Sequence, residues 1–163
     1  MKVVARRNKP ESLDREAIAR LKKAGVASFA LAIGREYTVF GMTLTKDGLF
    51  VLILAGEVRA RPSLVSIELF EVSDPALSKG WLFDHGHGSG SNIHAIWGYP
   101  YLIQGEFGFD GLFSEKRMSA HQAFLAAARL EDISDRERAE LQALEAYIKR
   151  RAIPQPPPTE SPD

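Results

Sequence analysis

Leu49-Phe50-Val51-Leu52-Ile53-Leu54 is an unbroken apolar run of strand length, and its reading decides the fold. Successive residues of a strand point to opposite faces, so consecutive apolar side chains cannot alternate between core and water. Such a strand has to be covered on both sides. A buried helix is the competing reading. Lys46-Asp47-Gly48 just before the run and Ala55-Gly56-Glu57 just after it leave too little room for a helix of ordinary length. The run is therefore a central strand that needs two covering layers.

Asp47-Gly48 is a hairpin pair, both positions of which accept positive φ, and it places a strand over Tyr37 to Leu44 beside the central one. That strand sets Thr38, Phe40, Met42 and Leu44 against Tyr37, Val39 and Thr43, and Gly41 marks a bulge or a close approach. A turn at Gly56 reverses the chain. A polar strand from Val58 to Arg61 follows, interrupted by Pro62, which cannot donate to a ladder. Leu64 to Val72 is a further strand, with Val65, Ile67 and Leu69 opposed to Ser66, Glu68 and Phe70. Ser73-Asp74-Pro75 is a turn, and Pro75 to Trp81 is a connecting segment or single helical turn.

Helices flank this meander. Leu13, Ala17, Ile18 and Leu21 form one face of an amino-terminal helix from about Ser12 to Ala24, closed by Gly25. Ser28 to Ile33 fits a strand or a short helix equally well. Ser119 with Gln122 and Ser134 with Glu137 are capping boxes that open two helices, about Ala120 to Leu130 and Asp135 to Arg151. The first carries His121, Phe124, Leu125 and Ala128 on one stripe; the second carries Leu141, Leu144, Tyr147 and Ile148. The fold class is α+β: an antiparallel sheet of about four to six strands with one amino-terminal helix and two carboxyl-terminal helices. Residues 1–153 form a single domain, and residues 154–163, rich in proline, form a disordered tail.

Composition excludes several classes of function. Among 163 residues, 21 Lys and Arg balance 21 Asp and Glu, so no net field recommends nucleic acid or an anionic membrane as partner. The absence of cysteine excludes disulfides, thiolate nucleophiles and sulfur-ligated zinc, and it suits the cytoplasm. No apolar run approaches the ~20 residues of a membrane span.

Three of the four histidines fall within Asp84-His85-Gly86-His87-Gly88-Ser89-Gly90-Ser91-Asn92-Ile93-His94, which reads as a mobile loop. His85, His87 and His94, with an oxygen from Asp84, are the residue types that bind zinc, nickel or iron. Metal ligands are ordinarily held on regular elements by further hydrogen bonds, which a glycine-rich segment does not supply. The glycine amides also lack the lysine and threonine of a phosphate loop. No cofactor is implied. Beyond the loop, Trp97, Tyr99 and Tyr101 belong to an aromatic segment, with a strand at Tyr101 to Ile103. Gly105 to Phe113 repeats the theme, with Glu106 and Asp110 as its charges. No nucleophile and base are paired anywhere, and a binding protein needs neither. Asp84, His85, His87, Trp97, Tyr99, Tyr101 and Glu106 are the candidate anchors for a protein partner.

A resemblance sharpens this reading. Tyr37-x-Val39-x-Gly41, the apolar strand through Leu54, Pro62, Leu69-Phe70-Glu71-Val72-x-Asp74 and Leu77-Ser78-x-x-Trp81 together resemble immunity proteins of bacterial polymorphic toxin systems, over the middle half of the chain. The resemblance implies a cytoplasmic inhibitor that binds a cognate toxin domain and blocks its active site, without chemistry of its own. Two other readings stand beside it. One is a small metal- or ligand-binding enzyme using the His85, His87 and His94 loop; the other is a homo-oligomer that pairs an aromatic sheet face with its own copy.

Overall fold

The structure, a computed structural model of the chain, describes residues 1–9, 15, 18, 29–56, 61–85, 93–103, 118–129 and 131–152. It is α+β, with two antiparallel sheets. One is three-stranded, built from β1 (Lys2–Ala5), β2 (Glu36–Thr38) and β6 (Phe70–Asp74) in the order β2-β1-β6. The other holds β3 (Gly41–Thr45), β4 (Gly48–Ala55), β5 (Arg61–Ser66), β7 (Leu82–His85) and β8 (Ile93–Gly98) in the order β5-β4-β3-β8-β7. The described helices with assigned bounds, α1 (Pro100–Ile103), α2 (Met118–Ala128) and α3 (Asp135–Ala152), lie in the second half of the chain.

β4 is the strand read from the apolar run, and each of its faces belongs to a different core. Val51, Ile53 and Ala55 pack with Val3 and Ala5 of β1, Tyr37 of β2 and Val65 of β5. Leu52 and Leu54 pack with Ile96 of β8, Leu102 of α1, Phe124 and Leu125 of α2, and Leu141, Leu144 and Ile148 of α3. Val51, Leu52, Ile53 and Leu54 are all fully buried. Each such side chain contributes about 1.5–3 kcal/mol relative to exposure. The molecule is thus layered as small sheet, large sheet and helices, with β4 in the middle layer.

Several sequence expectations need correction. Tyr37 to Leu44 is not one strand, because the chain changes sheets inside it. The Val39 amide bonds Met1 of the small sheet at 3.0 Å, and the next amide, Phe40, bonds Leu52 of the large sheet at 2.8 Å. Both residues are fully buried, one in each core, and a continuous strand in a single sheet does not allow that. Leu64 to Val72 divides likewise. A 3-10 turn at Ile67–Leu69, capped by the Ser66 hydroxyl, carries the chain from β5 into β6. Pro62 lies inside β5, paired with Leu54, rather than interrupting it; β5 is an edge strand, whose outer side needs no ladder bond.

The hairpin between β3 and β4 turns on Lys46 and Asp47, with positive φ only at Gly48 (119°). Residues 101–103 are helical rather than extended, because Pro100 suits the first position of a helix. Ser119 lies within α2, not at its cap. Residues 29–32 form neither strand nor helix. Of the expected amino-terminal helix only Arg15 and Ile18 are described, both in helical backbone; the rest of Ser12 to Ala24 lies outside the described residues. So do Val58 to Ala60, the 105–113 segment and the 154–163 tail. The layer over the second face of β4 is the small sheet, whose middle strand is β1.

Candidate functional site

The large sheet is wider than the small one that covers it. The buried residues that face the small sheet come from β4 and β5 together with β1 and β2, which leaves the β8–β7 end of the same face open. One row of side chains shows the change. Val65, Val51, Met42, Trp97 and Phe83 stand opposite one another across all five strands. Val65 and Val51 are buried, Met42 and Trp97 half-buried, and Phe83 is 56% exposed. In the next row, Leu49, Leu44, Ala95 and His85, both Leu44 and His85 are exposed, while Ala95 between them is buried.

At this open end the aromatic rings touch. Phe83 lies 5.3 Å from Trp97, tilted by 42°, and 6.0 Å from the His85 imidazole, parallel to within 2°. Phe83 and His85 meet because residues two apart on a strand share a face, and Trp97 is the cross-strand partner of Phe83. Neither row contains an Asp, Glu, Lys or Arg. The result is an uncharged aromatic strip on a regular sheet, a surface able to bury apolar area against a partner without burying an unpaired charge.

The predicted anchors fall into three groups. Asp84, His85 and Trp97 come together on β7 and β8. His85 and Trp97 lie on the strip, while Asp84 points to the other face and accepts the His85 amide proton at 2.7 Å. Tyr99 and Tyr101 are not surface anchors. Tyr99 is 4% exposed and stacks on Tyr101 at 6.1 Å, and Tyr101 packs edge-on against Phe124 in the helical core. They turn inward because β8 ends at Gly98 and the chain bends into α1. His87 and Glu106 lie outside the described residues. Phe83 was missed altogether. Leu82-Phe83-Asp84-His85 forms a strand without an alternating pattern, and the glycines after it give the segment the look of a loop.

Tyr99 centres a polar knot at this end of the sheet. Its hydroxyl donates to Glu131, on the linker between α2 and α3, and Ser78 donates to it at 3.2 Å. Burial and the Glu131 carboxylate push its pKa up to about 12. Burial raises Tyr101 in the same direction, and the Tyr101 hydroxyl has no hydrogen-bond partner among the described residues. Neither phenol is poised to act as a base near neutrality.

The histidine segment is partly strand: Asp84 and His85 lie on β7, Ile93 and His94 on β8, and a register shift places His94 at a bulge. Among the described residues no group of three or more His, Cys, Asp or Glu is placed to hold a metal ion. No described helix is long and apolar enough to cross a membrane. The chain matches no protein-family model, no curated protein and no solved structure.

Proposed function

We propose that this chain is a non-catalytic binding protein that holds another protein against the open strip of Phe83, Trp97, His85 and Leu44. The observation that carries the reading is the row from Val65 to Phe83, buried at one end and open at the other. A sheet face that is uncharged, aromatic and rigidly backed has the composition of a hot spot, where rings are buried at small entropic cost. Within this class the resemblance over the middle of the chain supports an immunity protein, acting in the cytoplasm on a cognate bacterial toxin domain and covering its active site.

The test starts with the chain as bait in its own cells, with and without chelator, and mass spectrometry of what is retained. The partner is then expressed alone, with the wild-type chain, and with Phe83→Ser. The expected outcome is a stoichiometric partner that survives chelation, arrests growth when expressed alone and is neutralised by wild type. Phe83→Ser should bind it at least about tenfold more weakly. Because Phe83 is largely exposed, its replacement should leave folding stability within about 0.5 kcal/mol. Capture that depends on metal, or that Phe83→Ser leaves unchanged, overturns the reading.

A further inference from the structure

Shortly after the end of α3 at Ala152 the sequence reads Pro154-Gln155-Pro156-Pro157-Pro158, a run dominated by proline and without a charge. Proline at this density favours the polyproline II helix, which loses little entropy on binding and is recognised by exposed aromatic rings rather than by charge. The strip on β7 and β8 is a face of that kind. Phe83 has Trp97 at 5.3 Å and His85 at 6.0 Å between ring centroids, and the two rows that hold these rings contain no Asp, Glu, Lys or Arg. One turn of polyproline II rises about 9 Å, enough to lie across all three rings.

We infer that residues 154–158 of one copy of the chain lie on the Phe83, Trp97 and His85 strip of a second copy. Within one copy the strip is out of reach. α3 packs on the other face of the large sheet, with Leu52 and Leu54, and near its end the Tyr147 ring lies 5.7 Å from the Arg61 guanidinium at the start of β5. From β5 the strip begins at β8, three strand spacings or about 14 Å across, and the path must also round the sheet to its far side, about 10 Å more. Even fully extended, the chain places Pro156 no more than about 14 Å from Ala152, and Pro158 no more than about 21 Å. The contact therefore joins two different surfaces, the proline run of one copy and the strip of the next, and needs no self-complementary patch. It rests on the strip and the proline run and not on the proposed toxin partner. A partner seated on the strip would displace the run.

Sedimentation velocity on the full chain over a dilution series should show mass rising with concentration. Phe83→Ser, which removes the central ring, should sediment as monomer throughout. So should the double variant Pro156→Asp, Pro157→Asp, which breaks the proline run and sets charge against an uncharged face. Mixed together, these two variant chains should combine one to one, because the first keeps its proline run and the second its strip. A free peptide of residues 153–159, in excess, should return the wild-type chain to monomer. A wild-type chain that stays monomeric at every concentration overturns the inference. So does association that survives the proline replacements or the free peptide, and so do two variants that fail to combine. None of these readouts involves the proposed partner, so that reading and this one fail separately.

Discussion

Tyr99 shows how a residue that reads as a surface anchor becomes a structural one. It is 4% exposed, its proton goes to Glu131, and its pKa is pushed up to about 12, against about 10 for a free tyrosine. Because the folded state holds the neutral phenol, the contribution is complete below pH ~10 and is lost as pH rises through the folded value. The melting temperature should therefore fall between pH 10 and 12, and the fall should be smaller in Tyr99→Phe. Calorimetry across that range, with phenolate absorbance followed in parallel, checks this; an equal fall in both proteins would show that Tyr99 is not the group responsible. Phe83 is the converse case, a residue of no evident note in the chain that the sheet edge leaves open.

At the scale of elements, the capping box at Ser134 was legible, and half of its meaning was not. Glu137 accepts from the Ser134 amide at 3.0 Å and the Ser134 hydroxyl at 2.9 Å, while Ser134 accepts the Glu137 amide proton at 3.3 Å. The same carboxylate, 2% exposed, also accepts from the Thr38 amide at 2.7 Å and the Thr38 hydroxyl at 3.0 Å. It thus fastens the start of α3 to the end of β2, where the chain is about to cross between sheets. Arg35–Glu140 at 2.7 Å fastens the same helix one turn on. Glu137→Leu leaves the buried Thr38 amide and hydroxyl unpaired at about 1–3 kcal/mol each. Urea unfolding should show a loss of about 3 kcal/mol or more, with a smaller loss for Glu137→Gln, whose amide oxygen still accepts. The sequence spacing shows only that Glu137 reaches back one turn. That it also reaches a strand 99 residues away is a tertiary fact.

At the scale of the molecule, the layering depends on a strand of four residues. β1 is the middle strand of the small sheet, and its Val3 and Ala5 are fully buried against β4. Val3→Asp places a charge with no partner in that core, so the loss should exceed about 4 kcal/mol. The near-ultraviolet melt should lose its cooperative transition, while far-ultraviolet signal from α3 persists longest. A variant that melts as wild type does would mean that the small sheet is not part of the cooperative core.

The sequence by itself determined that Leu49 to Leu54 is a strand buried on both sides, that a hairpin precedes it, and that two amphipathic helices close the chain. These follow from local periods, turn residues and caps, each readable within a few residues. Only the tertiary structure decided that the strands belong to two sheets, that β1 helps to cover the second face of β4, and that Phe83 rather than Tyr99 meets solvent. Sheet changes at Val39-Phe40 and at Ile67–Leu69 do not interrupt an apolar pattern, because each side of the crossing is buried. Exposure at β7 depends on how far one sheet extends beyond the other, a length set by the width of the covering layer and not by any residue of β7.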